Sequence, residues 1–139
     1  MLLICIGKPG VDLYRTLSDS ETSRHILHFY HPIELECGIS VDVSTISSGL
    51  ALMSELRWYI TRYMQEVLIE DAEHSVYLTK NLAQEAYDSR SVMLSPEWKT
   101  SFRICVTKEK DILRLPEDIP EPEGIIKTYV VWGLPNEHP

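Results

Sequence analysis

Over residues 33–43 the chain alternates without a break. Ile33, Leu35, Cys37, Ile39, Val41 and Val43 are apolar, while Glu34, Glu36, Gly38, Ser40 and Asp42 between them are polar or small. Successive side chains of a strand point to opposite faces, so the pattern predicts an extended segment with one apolar and one wet face. Such a strand belongs in a sheet packed on one side. That favours antiparallel pairing, because parallel strands covered on both faces read as continuous apolar runs. Residues 2–6 read as a short buried strand ended by Pro9 and Gly10, residues 12–16 as a returning arm, residues 18–23 as a polar loop and residues 25–30 as a further strand.

After the possible N-caps of residues 44–48 the period changes. Met53, Leu56, Ile60, Tyr63, Met64 and Val67 recur at helical spacing and predict a helix over residues 50–69. Leu78, Leu82 and Ala86, with Val76, Ala83 and Tyr87 alongside, predict a second over residues 72–88. Joined, they would make a rod of roughly 60 Å, too long for a domain of this size, so the reading breaks them near residues 70–73 into a helical hairpin. Gly38, inside an otherwise regular strand, suggests a bulge. Beyond Ser95 and Pro96 the period returns to two: Phe102, Ile104 and Val106 alternate with Arg103, Cys105 and Thr107, and residues 112–115 follow a charged turn at 108–111. Residues 116–124 read as an acidic, proline-rich surface connection, and residues 125–132 as a last β-prone run. The expected fold is α+β, a mainly antiparallel sheet packed on a helical hairpin. It forms a single domain over residues 1–139, with strands at about 2–43, helices at about 49–88 and strands at about 101–132.

A chain of 139 residues can bury enough surface to fold as one unit without disulfides. Twenty-one acidic against 13 basic residues give a net charge of −8, which opposes attraction to nucleic acid and to anionic membranes. No apolar stretch is long enough to span a bilayer, and residues 1–6 lack the basic start of a signal peptide, so a cytoplasmic protein is expected. Cys5, Cys37 and Cys105 each sit in an apolar run and read as buried, reduced thiols rather than as a disulfide framework or nucleophiles.

His25, His28 and His31 are evenly spaced, but in a strand His28 would point away from the other two, so no metal site is expected unless a turn or helix intervenes. Gly7, Lys8, Pro9 and Gly10 lack the spacing of a phosphate-binding loop, the acids of residues 117–123 match no calcium loop, and Ser47 and Ser48 suit helix capping. No catalytic residue, metal ligand or cofactor site follows from the pattern. The remaining candidates are contact residues. Trp58, Tyr59, Trp98 and Trp132 are the aromatic ones, and Arg57, Trp58, Arg62 and Trp132 are the expected partner-binding set, since tryptophan and arginine dominate binding hot spots. Trp58 lies off the apolar stripe, which leaves it either capping the core under a loop or facing a partner.

Several of these pieces together resemble the region preceding the caspase-like domain of bacterial CHAT proteins, cysteine peptidases associated with TPR repeats. They are Ile6 to Gly10 with Tyr14, the run Glu55-Leu56-Arg57-Trp58-Tyr59, a helix ending near residues 82–87, Trp98, the strand of residues 102–106, and the run Ile112-Leu113-Arg114-Leu115-Pro116-Glu117. The Leu-Pro pair is followed here by Glu117 and Asp118 where the family usually has Trp-Glu. The family's catalytic His and Cys have no counterparts in these residues, so none is carried over. The resemblance implies a non-enzymatic adaptor or regulatory module in a bacterial conflict or defence system, with a caspase-like peptidase, a TPR scaffold or a second copy as its partner. The competing expectation is a small ligand- or metal-binding sensor or enzyme using the His25, His28 and His31 segment.

Overall fold

In a computed structural model that describes residues 1–89 and 99–139, the strands are Leu2–Gly7 (β1), Ile33–Leu35 (β2), Gly38–Asp42 (β3), Met64–Asp71 (β4), Val76–Thr79 (β5), Thr100–Thr107 (β6), Ile112–Pro116 (β7) and Ile125–Gly133 (β8). The helices are Leu13–Asp19 (α1), Glu21–Ile26 (α2), Ile46–Glu55 (α3), Arg57–Tyr63 (α4) and Lys80–Ser89 (α5). One eight-stranded sheet runs in the order β2-β3-β1-β4-β5-β8-β6-β7, antiparallel at every pairing except β5 with β8. The fold is α+β.

Strand β1 lies inside the sheet and is buried on both faces: Leu3, Ile4, Cys5 and Ile6 are 0–3% exposed. Leu3 and Cys5 share one face with Ile39, Val41, Val67, Ile69 and Leu78, and this face packs under Leu13, Leu17, Leu52, Met53, Leu56 and Leu82 of the helices. Ile4 and Ile6 share the other face with Leu68, and there they meet Phe102, Ile104, Val106, Tyr129 and Val131 from β6 and β8. The sheet therefore rolls until its second half covers the back of its first. Arg114 of β7 reaches across the inside of the roll to Glu66 of β4 at 2.5 Å, Gln65 donates to the Lys110 carbonyl, and Lys110 pairs with Glu36 at 3.5 Å. The connection after β7 folds over β6, where Arg103 hydrogen-bonds the Pro116 and Ile119 carbonyls and pairs with Glu121.

The N-terminal half departs from the sequence reading in five places. Residues 33–43 are a hairpin rather than one strand: Leu35 pairs with Gly38 across a two-residue turn, so Ile33 and Leu35 face the opposite side of the sheet from Ile39 and Val41. The expected wet face is lost with it, since Gly38 and Ser40 are buried. Residues 13–16 form the start of helix α1, capped by the Asp12 carboxylate on the Arg15 N–H, and residues 18–23 run from α1 into α2 instead of forming a loop. Residues 25–30 are the end of α2 and the turns after it, not a strand. The predicted turn of the helical hairpin is replaced by a β-hairpin: the helix of residues 50–69 ends at Tyr63, and β4 and β5 follow. A helical pair nonetheless covers the sheet, because α3 packs against α5 with this hairpin between them in sequence. Within the run of possible N-caps at residues 44–48, Thr45 is the N-cap of α3 and forms a capping box with Ser48, and β6, β7 and β8 stand where the pattern put them.

Gly38 is regularly paired with Ile6, so it marks no bulge. It is required by close approach, because a Cβ there would overlap the Cys5 carbonyl oxygen of β1. The obstacle is backbone rather than a movable side chain. Gly38→Ala is expected to destabilise the fold by about 3 kcal/mol or more, read as a fall in the denaturation midpoint.

Glu66 supplies a pH-dependent check on the roll. Burial pushes its pKa up, with Arg114 opposing the shift. A carboxyl raised in this way favours folding while protonated, and that contribution is lost as pH rises through its folded value. Arg114→Ala removes the charge that offsets ionisation. The variant is expected to cost about 1–3 kcal/mol at neutral pH, with the deficit shrinking on acidification as Glu66 takes up its proton. Denaturant unfolding of both proteins at neutral and acid pH measures the difference.

Candidate functional site

Helix α4 begins directly after Leu56, which is fully buried and closes α3. Leu56 and Tyr59 turn into the core, and Tyr59 is fixed there by a 2.7 Å hydrogen bond to Ser20. The opposite side of this seven-residue helix carries Arg57, Trp58, Thr61 and Arg62, which line a shallow depression. Trp58 is 57% exposed, which decides between the two sequence readings in favour of the surface. Its ring stands edge-on to Tyr59 at 5.0 Å and Tyr63 at 6.0 Å. The Arg62 guanidinium, one helical turn on, lies 5.1 Å from the ring centroid, within cation–π range. Among the described residues, neither Arg57 nor Arg62 has an ion-pair partner. Lys8 anchors the helix end by donating to the Thr61 carbonyl.

Three of the four expected contact residues thus come together. Trp132 does not join them. Alternation along β8 turns it toward the helical layer, where it is half-buried, with Lys99 Nζ 3.4 Å from its ring centroid and the His74 ring at 5.0 Å. Trp98 lies outside the described residues.

The histidine segment also changes with the backbone. Because residues 21–26 are helical and His31 has a positive φ of 49°, His28 and His31 line one cleft of about 350 Å³, while His25 is not part of its lining. Tyr14, Ser18 and Arg24 border the same cleft. None of these three is singled out for a site by the sequence pattern, because Arg24 comes beside His28 only through the end of α2 and the turns that follow it. A larger cavity of about 500 Å³ lies at the seam of the rolled sheet and has mixed charge, with Lys8 and Lys110 beside Asp12, Glu34 and Glu36.

A third group was missed in the sequence. In the β4–β5 turn, one donor atom from each of Asp71, Glu73 and His74 lies within 4.8 Å of the others. His74 Nδ1 is 2.8 Å from Asp71 Oδ2, and the His74 N–H donates to Asp71 Oδ1, so the contacts in hand bind the turn to itself. The three cysteines are free and buried. Burial pushes the Cys5 thiol up to about 12 and raises that of Cys105, which leaves neither a thiolate at neutral pH.

Fold and surface define an α+β protein with a rolled, mainly antiparallel sheet, helices over one face and a basic aromatic patch on its fourth helix. The chain belongs to a family of unknown function, DUF5804, whose model matches residues 2–101, a span that takes in both the α4 patch and the histidine cleft. No curated protein and no solved structure matches it. No helix among the described residues is long and apolar enough to cross a membrane.

Proposed function

We propose that the protein is a non-enzymatic interaction module that binds a partner protein through the exposed face of α4. The observation that carries this reading is Trp58. It is more than half exposed, braced edge-on by two tyrosines and flanked by two arginines that make no ion pair among the described residues. A braced tryptophan loses little side-chain entropy on contact, and exposed Trp and Arg are the residue types that concentrate binding energy.

Charge narrows the partner. On a chain of net charge −8, Arg57 and Arg62 make a local positive patch, which fits an acidic segment carrying an apolar anchor for the tryptophan. The partner class proposed from the CHAT resemblance is a caspase-like peptidase or TPR scaffold of a bacterial defence system. That proposal rests on the same run, Glu55 to Tyr59, in which this patch is built.

The test compares proteins retained from host lysate by the tagged chain and by two variants, Trp58→Ala and the double variant Arg57→Glu with Arg62→Glu. These side chains are at the surface, so both variants are expected to fold with stability within about 1 kcal/mol of the parent. A stoichiometric partner held by the parent should be lost by both, and its retention should weaken with added salt. Equal retention by all three proteins would remove α4 as the binding face.

A further inference from the structure

We infer that the cleft between α1, α2 and β3 is a binding site for a small organic anion, independent of the α4 face. Its volume of about 350 Å³ falls in the range of small-molecule sites. The polar groups at its lining are Tyr14, Ser18, Arg24, His28 and His31, and no carboxylate is among them. This is selective for a chain with 21 acids against 13 Lys and Arg. The larger seam cavity shows the contrast, since its two lysines are set against three acids and one of them, Lys110, is already paired with Glu36.

The polar groups of the cleft are also uncommitted. Among the described residues, the side chains of Tyr14, Arg24, His28 and His31 have no ion pair and no hydrogen bond. A guanidinium offers paired N–H donors that match an oxyanion, and imidazole and phenol groups add donors beside it. The rest of the lining is apolar: Leu17, Leu27 and Ile39 from the core, with Pro32. A matching ligand has an oxyanion at one end, for Arg24 and the histidines, and a compact apolar body at the other. Carboxylate and phosphate share this chemistry.

Amide and imidazole resonances of the full chain, followed by NMR during titration, test the inference with four probes: phenyl phosphate, benzoate, benzyl alcohol and inorganic phosphate. At least one of the first two should give saturable shifts at Arg24, His28 and His31, and the tighter of them identifies the oxyanion. Benzyl alcohol lacks the charge and inorganic phosphate lacks the apolar body, so each should bind at least about tenfold more weakly. Arg24→Gln should weaken the preferred anion by about tenfold while leaving the spectrum elsewhere unchanged, because Arg24 is exposed. His28→Gln should weaken it independently. Absence of saturable shifts for both aromatic anions would overturn the inference. So would equal binding of benzyl alcohol or inorganic phosphate, or undiminished binding by both variants.

Discussion

Burial of β1 on both faces is the constraint on which the rest of the structure depends. A strand at the inside of a sheet needs an apolar layer on each side, and the helices supply only one of them, through Leu3 and Cys5. The other layer has to come from the chain's own C-terminal strands. Parity along the ladders shows how: Ile4 pairs with Leu68, Leu68 with Thr79, Tyr77 with Val131, Val131 with Phe102, and Ile104 with Arg114, so all these side chains lie on one continuous face. Only when that face curls on itself can Arg114 reach Glu66 and Tyr129 approach Cys37. The same curl leaves the helical side as the outer surface, where both the α4 patch and the histidine cleft are found.

This arrangement explains which parts of the fold were legible in the sequence. Strand β6 has one face in the inner core and the other beneath the acidic connection, and its alternation of Phe102, Ile104 and Val106 with Arg103, Cys105 and Thr107 is plain. In β4 the consecutive residues Val67, Leu68 and Ile69 are all buried, with Leu68 on the inner side and its neighbours under the helices. A short apolar run of that kind carries no period of its own, and Val67 continues the helical stripe that precedes it. The hairpin of residues 33–42 failed for a related reason. Its two-residue turn keeps the alternation unbroken in sequence while exchanging the faces in space. Glu36 and Cys37 carry none of the Asn-Gly or Asp-Gly signals that usually mark such a turn.

The candidate surfaces were legible to the same degree as the backbone beneath them. Trp58 and Arg62, four residues apart, were read on a helix and are on one, and they meet as that spacing requires. Trp132 was read correctly as part of a strand, but composition alone does not tell which face of the sheet a tryptophan takes. The histidine cleft is hidden in the sequence because an extended segment, as its aromatic residues and Pro32 suggest, would place His28 opposite His31. A helix end followed by turns brings the two to one cleft and adds Arg24.

The most direct test of this architecture is a nuclear Overhauser measurement between Cys37, in the β2–β3 turn, and Tyr129 of β8, 92 residues apart in sequence. Their sulfur and hydroxyl oxygen lie 3.8 Å apart, which is possible only if the sheet rolls over the back of β1. A strong cross-peak between the Cys37 β-protons and the Tyr129 ring is the expected result. Its absence in a folded, assigned sample would contradict the rolled sheet and the two-sided burial of β1.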